Sequence, residues 1–312
     1  MGELILHHYP TSPFSEKVRL VLGCKKLAWK SVIVPAVLPK PDVVALTGGY
    51  RKTPFLQIGA DIYCDTALIC DILEHRQGEP TLYPPHLKGL ARALAQWADT
   101  TLFWTSMAYS FSPAGVAQMF SGQPPEVAKA FAEDRAKMRV AVPRQPAADA
   151  AAAYRSYLRR LANMLDEHPY LLGDLPCIAD FAAFHPLWFT RARTPALAGI
   201  FDATPGVVAW MDRMAALGHG SMQRFDAAQA IALAAAATPA QLKDEPFQDE
   251  HGIALGTLVA ISGDAFGPEP AVGTLIAATR MHYTLRRTDP RAGIVHVHLP
   301  RIGYVLKRAA PA

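Results

Sequence analysis

A mixed α/β segment, an all-α segment and a small β-rich segment, in that order, are what this sequence predicts, with boundaries at residues 1–80, 86–239 and 250–312. Three observations carry the prediction. Short apolar runs alternate with helix-like spacing up to about residue 80. From Lys88 to about Ala237 nearly every stretch has helical spacing, and much of it is Ala-rich. Beyond Glu250 the pattern turns strand-like. At 312 residues the chain is long for one ordinary domain and can bury a sizeable core.

The first segment opens on Leu4-Ile5-Leu6, a strand, then Tyr9-Pro10-Thr11-Ser12-Pro13-Phe14-Ser15-Glu16-Lys17-Val18-Arg19, then the apolar Leu20-Val21-Leu22. Ser12 stands where an N-cap belongs, and Pro13 fits the first helical position, where its missing N–H costs nothing. Unpaired N–H groups and the positive end of the helix dipole then converge beside Ser12, a place suited to an anion. On these residues alone the stretch is a well-capped helix start, because no base stands next to Ser12 to make it a nucleophile.

A second strand follows at 29–34, then a Pro-punctuated loop at 35–41. Residues 53–59 read as a third strand opened by Pro54, and Ala60-Asp61 turns the chain into 62–64 as a hairpin. Asp65-Thr66 starts a helix over 67–76 with Leu68, Ile69, Ile72 and Leu73 on its apolar face. The order is β-α-β, loop, β-β-α.

Composition narrows the partners. With 51% hydrophobic and 19% charged residues the chain is globular, and a net charge of +4 demands neither nucleic acid nor a membrane surface. Glu3, His7 and His8 interrupt any secretory signal, and the Ala-rich run 227–237 is too short and too weakly hydrophobic to span a bilayer. Cys24, Cys64, Cys70 and Cys177 form no CxxC pair and have no histidines at metal spacing. The expectation is a soluble protein of a reducing, cytoplasmic compartment, with no metal.

The stretch 9–19, Lys52-Thr53-Pro54 and Asp65-Thr66 together resemble the thioredoxin-like N-terminal domain of the cytosolic glutathione S-transferases, over about residues 4 to 80. The resemblance implies that glutathione binds here as co-substrate. In serine-type members the residue at Ser12 contacts the glutathione sulfur. A hydroxyl donating to a thiolate, aided by the helix dipole, favours the ionised nucleophile, and since glutathione attacks rather than Ser12, no base is needed. Tyr9 is the rival for that role. Ser15 stands at the second CxxC position of thioredoxins, which excludes a dithiol cycle.

By the same resemblance Phe14 belongs to the glutathione site, and Thr53-Pro54 is a cis-proline turn whose backbone pairs with the cysteinyl group. Asp65-Thr66 grips the γ-glutamyl end, a carboxylate suiting its ammonium and the helix start its carboxylate. Lys52, with Arg51 as a weaker choice, meets the glycyl carboxylate. Residue by residue, ordinary caps and solvated charges account for the same positions.

In the second segment Leu90, Leu94, Trp97, Thr101 and Trp104 lie at helical spacing along a long helix. Phe103, Trp104 and Met107, with Tyr109, cluster where such a transferase builds its pocket for an apolar electrophile; core packing or dimer contact explains each singly. Residues 110–125 break the array and are expected to overhang the cleft. Helices resume at 126–140 and 147–167. The run 172–181 resembles the family's helix-start motif, with Asp180 at the third helical position and Cys177 standing where the cap is normally Ser or Thr.

The last segment lies outside the ordinary transferase plan. After an acidic linker at 243–250, residues 256–262, 273–279 and 294–299 read as strands, with 280–287 extending the second and 303–306 following the third, in a small antiparallel sheet or barrel. His296 and His298 fall on one strand face with His282 nearby; solvated outward histidines explain this as well as a metal site does. From Arg280 on there are seven Lys/Arg against one acid, Asp289. The sequence thus predicts a glutathione transferase, homodimeric by resemblance and suited to detoxification. The alternatives are a non-catalytic glutathione-binding module that recruits a partner through its tail, or another glutathione-dependent reaction such as dehalogenation or isomerisation.

Overall fold

The structure is a computed structural model that describes residues 2–142, 144–242 and 245–309. The N-terminal part runs β1 (Ile5–His8), α1 (Pro13–Cys24), β2 (Ala28–Ile33), α2 (Pro41–Thr47), β3 (Phe55–Ile58), β4 (Asp61–Cys64) and α3 (Thr66–Arg76). This is the thioredoxin-like arrangement, with β1 parallel to β2 and antiparallel to β3, and β3 antiparallel to β4. The sequence reading misses α2, which begins on Pro41 inside the stretch taken as loop and ends on Gly48 in the left-handed region. Seven residues give too few turns for a periodic signal, so the cap signs at its two ends had to carry the prediction alone.

The helical part comprises α4 (Lys88–Trp97), α5 (Phe103–Ser110), α6 (Pro113–Met119), α7 (Pro125–Met138), α8 (Ala147–Met164), α9 (Ile178–Arg193) and α10 (Pro205–Ala215). A π-helical turn at Ala98–Leu102 joins α4 to α5, so the long helix is nearly continuous. Its buried stripe is Ala91, Ala95, Ala98 and Leu102, while Leu90 is exposed. Leu94 and Trp97, picked out by spacing, are half-buried and pack against the margin of that core, because the small residues of the stripe let α4 approach α9 closely. The stretch 110–125 is not bare loop but carries α6.

Asp180 repairs the weak cap at Cys177. Fully buried, its carboxylate accepts the N–H groups of Leu171 (2.8 Å) and Cys177 (2.9 Å) and the indole Nε1–H of Trp210 (2.9 Å). All four cysteines are free and buried.

The chain then returns to the sheet. β5 (Ser221–Arg224) pairs in parallel with β2, and α11 (Ala227–Ala236) packs beside α2 on the sheet rather than in the helical layer. β6 (Leu258–Gly263), β7 (Ala271–Ala278), β8 (His282–Asp289), β9 (Gly293–Pro300) and β10 (Tyr304–Arg308) pair antiparallel among themselves, and β9 joins β4 in parallel from Asp61↔His296 to Tyr63↔His298. The result is one ten-stranded sheet, ordered β10-β6-β7-β8-β9-β4-β3-β1-β2-β5. The antiparallel pairing matches the sequence reading; the barrel does not form, because β9 finds the open edge of β4 instead of closing on its own neighbours. Of residues 280–287, those from His282 on belong to a separate strand, β8, folded back on β7 rather than extending it. The linker read at 243–250 lies partly outside the described residues.

One core crosses this join. Val43, Ala45 and Leu46 of α2 and Ala230, Ile231 and Ala234 of α11 cover Val295 and Val297 of β9 and Leu275 and Leu285 further out. Each Val, Leu or Ile among them contributes about 1.5–3 kcal/mol when fully buried. Gly49 permits the approach: its φ is +132°, and a Cβ there would lie 2.0 Å from the Pro270 carbonyl oxygen. No helix among the described residues is long and apolar enough to cross a membrane.

Candidate functional site at the end of the central strands

The register His7↔Phe55↔Cys64 puts the end of β1, the start of β3 and the end of β4 at one edge of the sheet. The loops that follow or precede those strands therefore bring together residues 9–12, 51–54 and 65–66. Ser12 is the N-cap of α1, 2% exposed, with its Oγ accepting the N–H of Ser15 at 3.2 Å. That bond uses a lone pair and leaves the hydroxyl proton to be donated. Arg19 supports the loop by donating to Pro10 O at 3.0 Å. Tyr9 lies beside Ser12, but its hydroxyl accepts from Arg135 of α7 at 3.3 Å.

Thr53-Pro54 is cis. Asp65 holds φ +76° as the N-cap of α3, accepting Ala67 N–H at 2.9 Å through Oδ1. Its Oδ2 accepts the hydroxyl of Tyr304, from β10, at 2.9 Å. Thr66 Oγ1 accepts from Lys17 Nζ at 3.2 Å, and Lys17, 1% exposed, ion pairs with Asp99 at 2.5 Å. Asp99 also meets His185 Nε2 at 2.9 Å. Lys17 holds Asp99 below the usual carboxylate range against the opposing effect of burial.

Lys52 does not face open solvent. Its Nζ lies 4.4 Å from the ring centre of Tyr304 and 5.4 Å from that of Tyr50, and burial lowers its pKa. Arg51, the weaker sequence choice, is buried and engaged by Asp134 and Glu269, both at 2.7 Å.

The apolar candidates gather next to this edge. Phe103 and Met107 are buried in one cluster with Phe189, against which Phe14 and Trp104 pack. Phe14 stands 4.6 Å from both the Phe103 and His185 rings, so it faces the helical part. Trp104 is covered by Phe266 of the β6–β7 loop at 5.0 Å. Sequence reasoning missed Tyr304, Phe266, Asp99 and His185. Nothing in their local sequence marks them, since each arrives through long-range packing; Lys17 was inside the motif but read only as part of its pattern.

His298 is not an outward, solvated histidine. His298 is buried, donating to Asp61 at 2.9 Å with its other nitrogen on Thr284 Oγ1 at 3.1 Å, and it stacks on Tyr63. His296 approaches the same carboxylate at 3.8 Å. Among the described residues no group of three or more His, Cys, Asp or Glu is arranged to hold a metal.

A thioredoxin-like sheet with a serine capping α1, followed by a helical layer, is the architecture of the transferase class that the sequence resembles. Residues 6–81 match the glutathione S-transferase N-terminal domain and residues 132–213 the glutathione S-transferase C-terminal domain. A GST-like protein from Pseudomonas syringae is 42% identical, with a TM-score of 0.82 over 99% of this chain and 100% of that one, so the likeness includes the C-terminal strands. The chain belongs to the glutathione S-transferase family. FtsZ-localized protein A of Caulobacter vibrioides is 30% identical over 102 residues, a stretch that spans 31% of this chain and less than half, 45%, of that protein. FzlA from C. crescentus, 23% identical with a TM-score of 0.51 over 68% of this chain and 87% of that one, shares the fold.

Proposed function

We propose that the chain is a serine-type, glutathione-dependent transferase of this family. The observation that supports it is the convergence of Ser12, cis Thr53-Pro54 and Asp65-Thr66 at one sheet edge. Glutathione lies with its sulfur at Ser12, its cysteinyl backbone along Thr53, its γ-glutamyl end at Asp65-Thr66 and its glycyl carboxylate toward Lys52. The Ser12 hydroxyl donates to the thiolate while the α1 dipole favours its charge; the thiol proton leaves to water, and the sulfur attacks an apolar electrophile held near Phe14, Phe103, Trp104 and Met107. Ser12→Ala tests this by ultraviolet titration of bound glutathione. The thiol pKa should rise; an unchanged titration moves the role to Tyr9. Homodimer formation, cytoplasmic residence and a detoxifying role belong to the same reading, and light scattering of the purified protein checks the first.

A second reading, a partner-recruiting member without turnover, is favoured by one observation: Asp65, Lys52 and Trp104 are already engaged by the chain's own C-terminal strands. The name of the Caulobacter relative, which places that protein with FtsZ, points the same way. Glutathione capture followed by a conjugation assay separates the two: binding without turnover on any electrophile selects the second.

A further inference from the structure

We propose that the C-terminal extension is an intramolecular latch on the glutathione site, with Tyr304 and the β6–β7 loop occupying it until they move aside. The inference rests on the glutathione reading above. It accounts for residues 264–270 and 304, to which that reading gives no part.

Three contacts make the latch. Tyr304 places its hydroxyl on Asp65 Oδ2 at 2.9 Å and its ring 4.4 Å from Lys52 Nζ, so one side chain covers the groups assigned to both ends of glutathione. The loop backbone lies flush on Lys52. Gly267 has φ +77°, and a Cβ built there would stand 3.0 Å from Lys52 Cδ, while one on Gly263 would stand 3.2 Å from Nζ. Finally Phe266 covers Trp104, closing the apolar half of the site.

The loop also bridges to the helical part across the cleft. Gly267 N–H donates to Met138 O at 2.7 Å and Val140 N–H donates to Ala265 O at 2.9 Å, while Glu269 pairs with Arg51 of the N-terminal part. These bonds are few and lie on a loop, whereas β9 is built into the sheet beside β4. Opening the loop therefore requires no loss of the β4–β9 pairing, and freeing Asp65 requires only that the side chain of Tyr304, the first residue of β10, swing off it. Glutathione would select the open form, and its apparent affinity would be lowered by the fraction of molecules open.

The test uses the full chain and glutathione itself. Titration calorimetry should give Tyr304→Phe, which keeps the ring and removes only the hydroxyl, about tenfold tighter glutathione binding than wild type, with Phe266→Ala tighter as well. Circular dichroism reports whether each variant folds. Hydrogen exchange on the wild type needs no variant: saturating glutathione should speed exchange at the Gly267 amide. Equal affinities and unchanged exchange with glutathione bound would overturn the latch and leave the glutathione reading standing. Folded wild type and variants that all fail to bind glutathione at millimolar concentration would remove the glutathione reading, and the latch with it.

Discussion

His298 Nε2 donates to Asp61 Oδ1 at 2.9 Å across 237 residues of sequence, fastening β9 to β4 at the join between the family fold and its extension. The second oxygen of Asp61 accepts the N–H of Ala240 at 2.7 Å. Asp61→Ala strands both donors in a buried place and should cost about 2–4 kcal/mol, whereas Asp61→Asn, which keeps one acceptor, should cost less. Urea unfolding measures both; a loss below about 0.5 kcal/mol for Asp61→Ala would show that strand pairing alone holds the join.

Lys17 links α1, α3 and the π turn through Thr66 and Asp99. Replacing it by Met leaves Asp99 with His185 as its remaining side-chain partner in a largely buried site. The expected loss is about 3–5 kcal/mol, read from the urea midpoint. Asp99→Asn in the same background should recover part of it, and a double variant no better than the single would argue against a charge origin.

Burial of His7 pushes its pKa down from 6.5 to about 4, and that of His8 to about 3. Both are neutral in the fold. Between pH 6.5 and about 4 the unfolded chain binds more protons at His7 than the folded one, so its contribution to stability is complete above 6.5 and is lost as the pH falls toward 4. The loss from His7 amounts to roughly 3 kcal/mol. Urea midpoints compared at about pH 7.5 and about pH 4.5 should fall less in His7→Gln than in wild type.

Asp180 receives three donors, two backbone N–H groups from the connection ahead of α9 and the Trp210 indole of α10. Asp180→Ala should cost about 3 kcal/mol or more and lower the melting temperature. Asp180→Asn retains one acceptor oxygen and should lie between. Equal melting of Asp180→Ala and wild type would contradict the capping role assigned here.

Ser12→Ala should also cost about 1 kcal/mol without glutathione, since α1 loses its cap, while Ser12→Asn keeps the cap. Comparing the two separates structure from chemistry: only the hydroxyl-bearing wild type should hold bound glutathione's thiol at a lowered pKa.

The candidate-site edge was legible because its signals are local. Ser12-Pro13, Thr53-Pro54 and Asp65-Thr66 each specify backbone at a strand or helix end, and β pairing brings such ends to one sheet edge. The apolar candidates Phe103, Trp104 and Met107 were readable as a cluster, but spacing along α4 could not say which stripe is buried most deeply, since Leu94 and Trp97 share their period with Ala91, Ala95 and Ala98. Helix α2 was lost because it is short.

By itself the sequence determined most of the elements, their order and several polar groups of the candidate site, all matters of cap residues, periodicity and turn chemistry within a few neighbours. Tertiary structure alone decided that the last strands continue the central sheet instead of closing on themselves, and that Tyr304 and Phe266 lie over Asp65 and Trp104. The reason is physical: a strand's free edge will pair with any compatible strand, and a tyrosine hydroxyl with any reachable carboxylate. Which ones meet depends on how the whole chain packs.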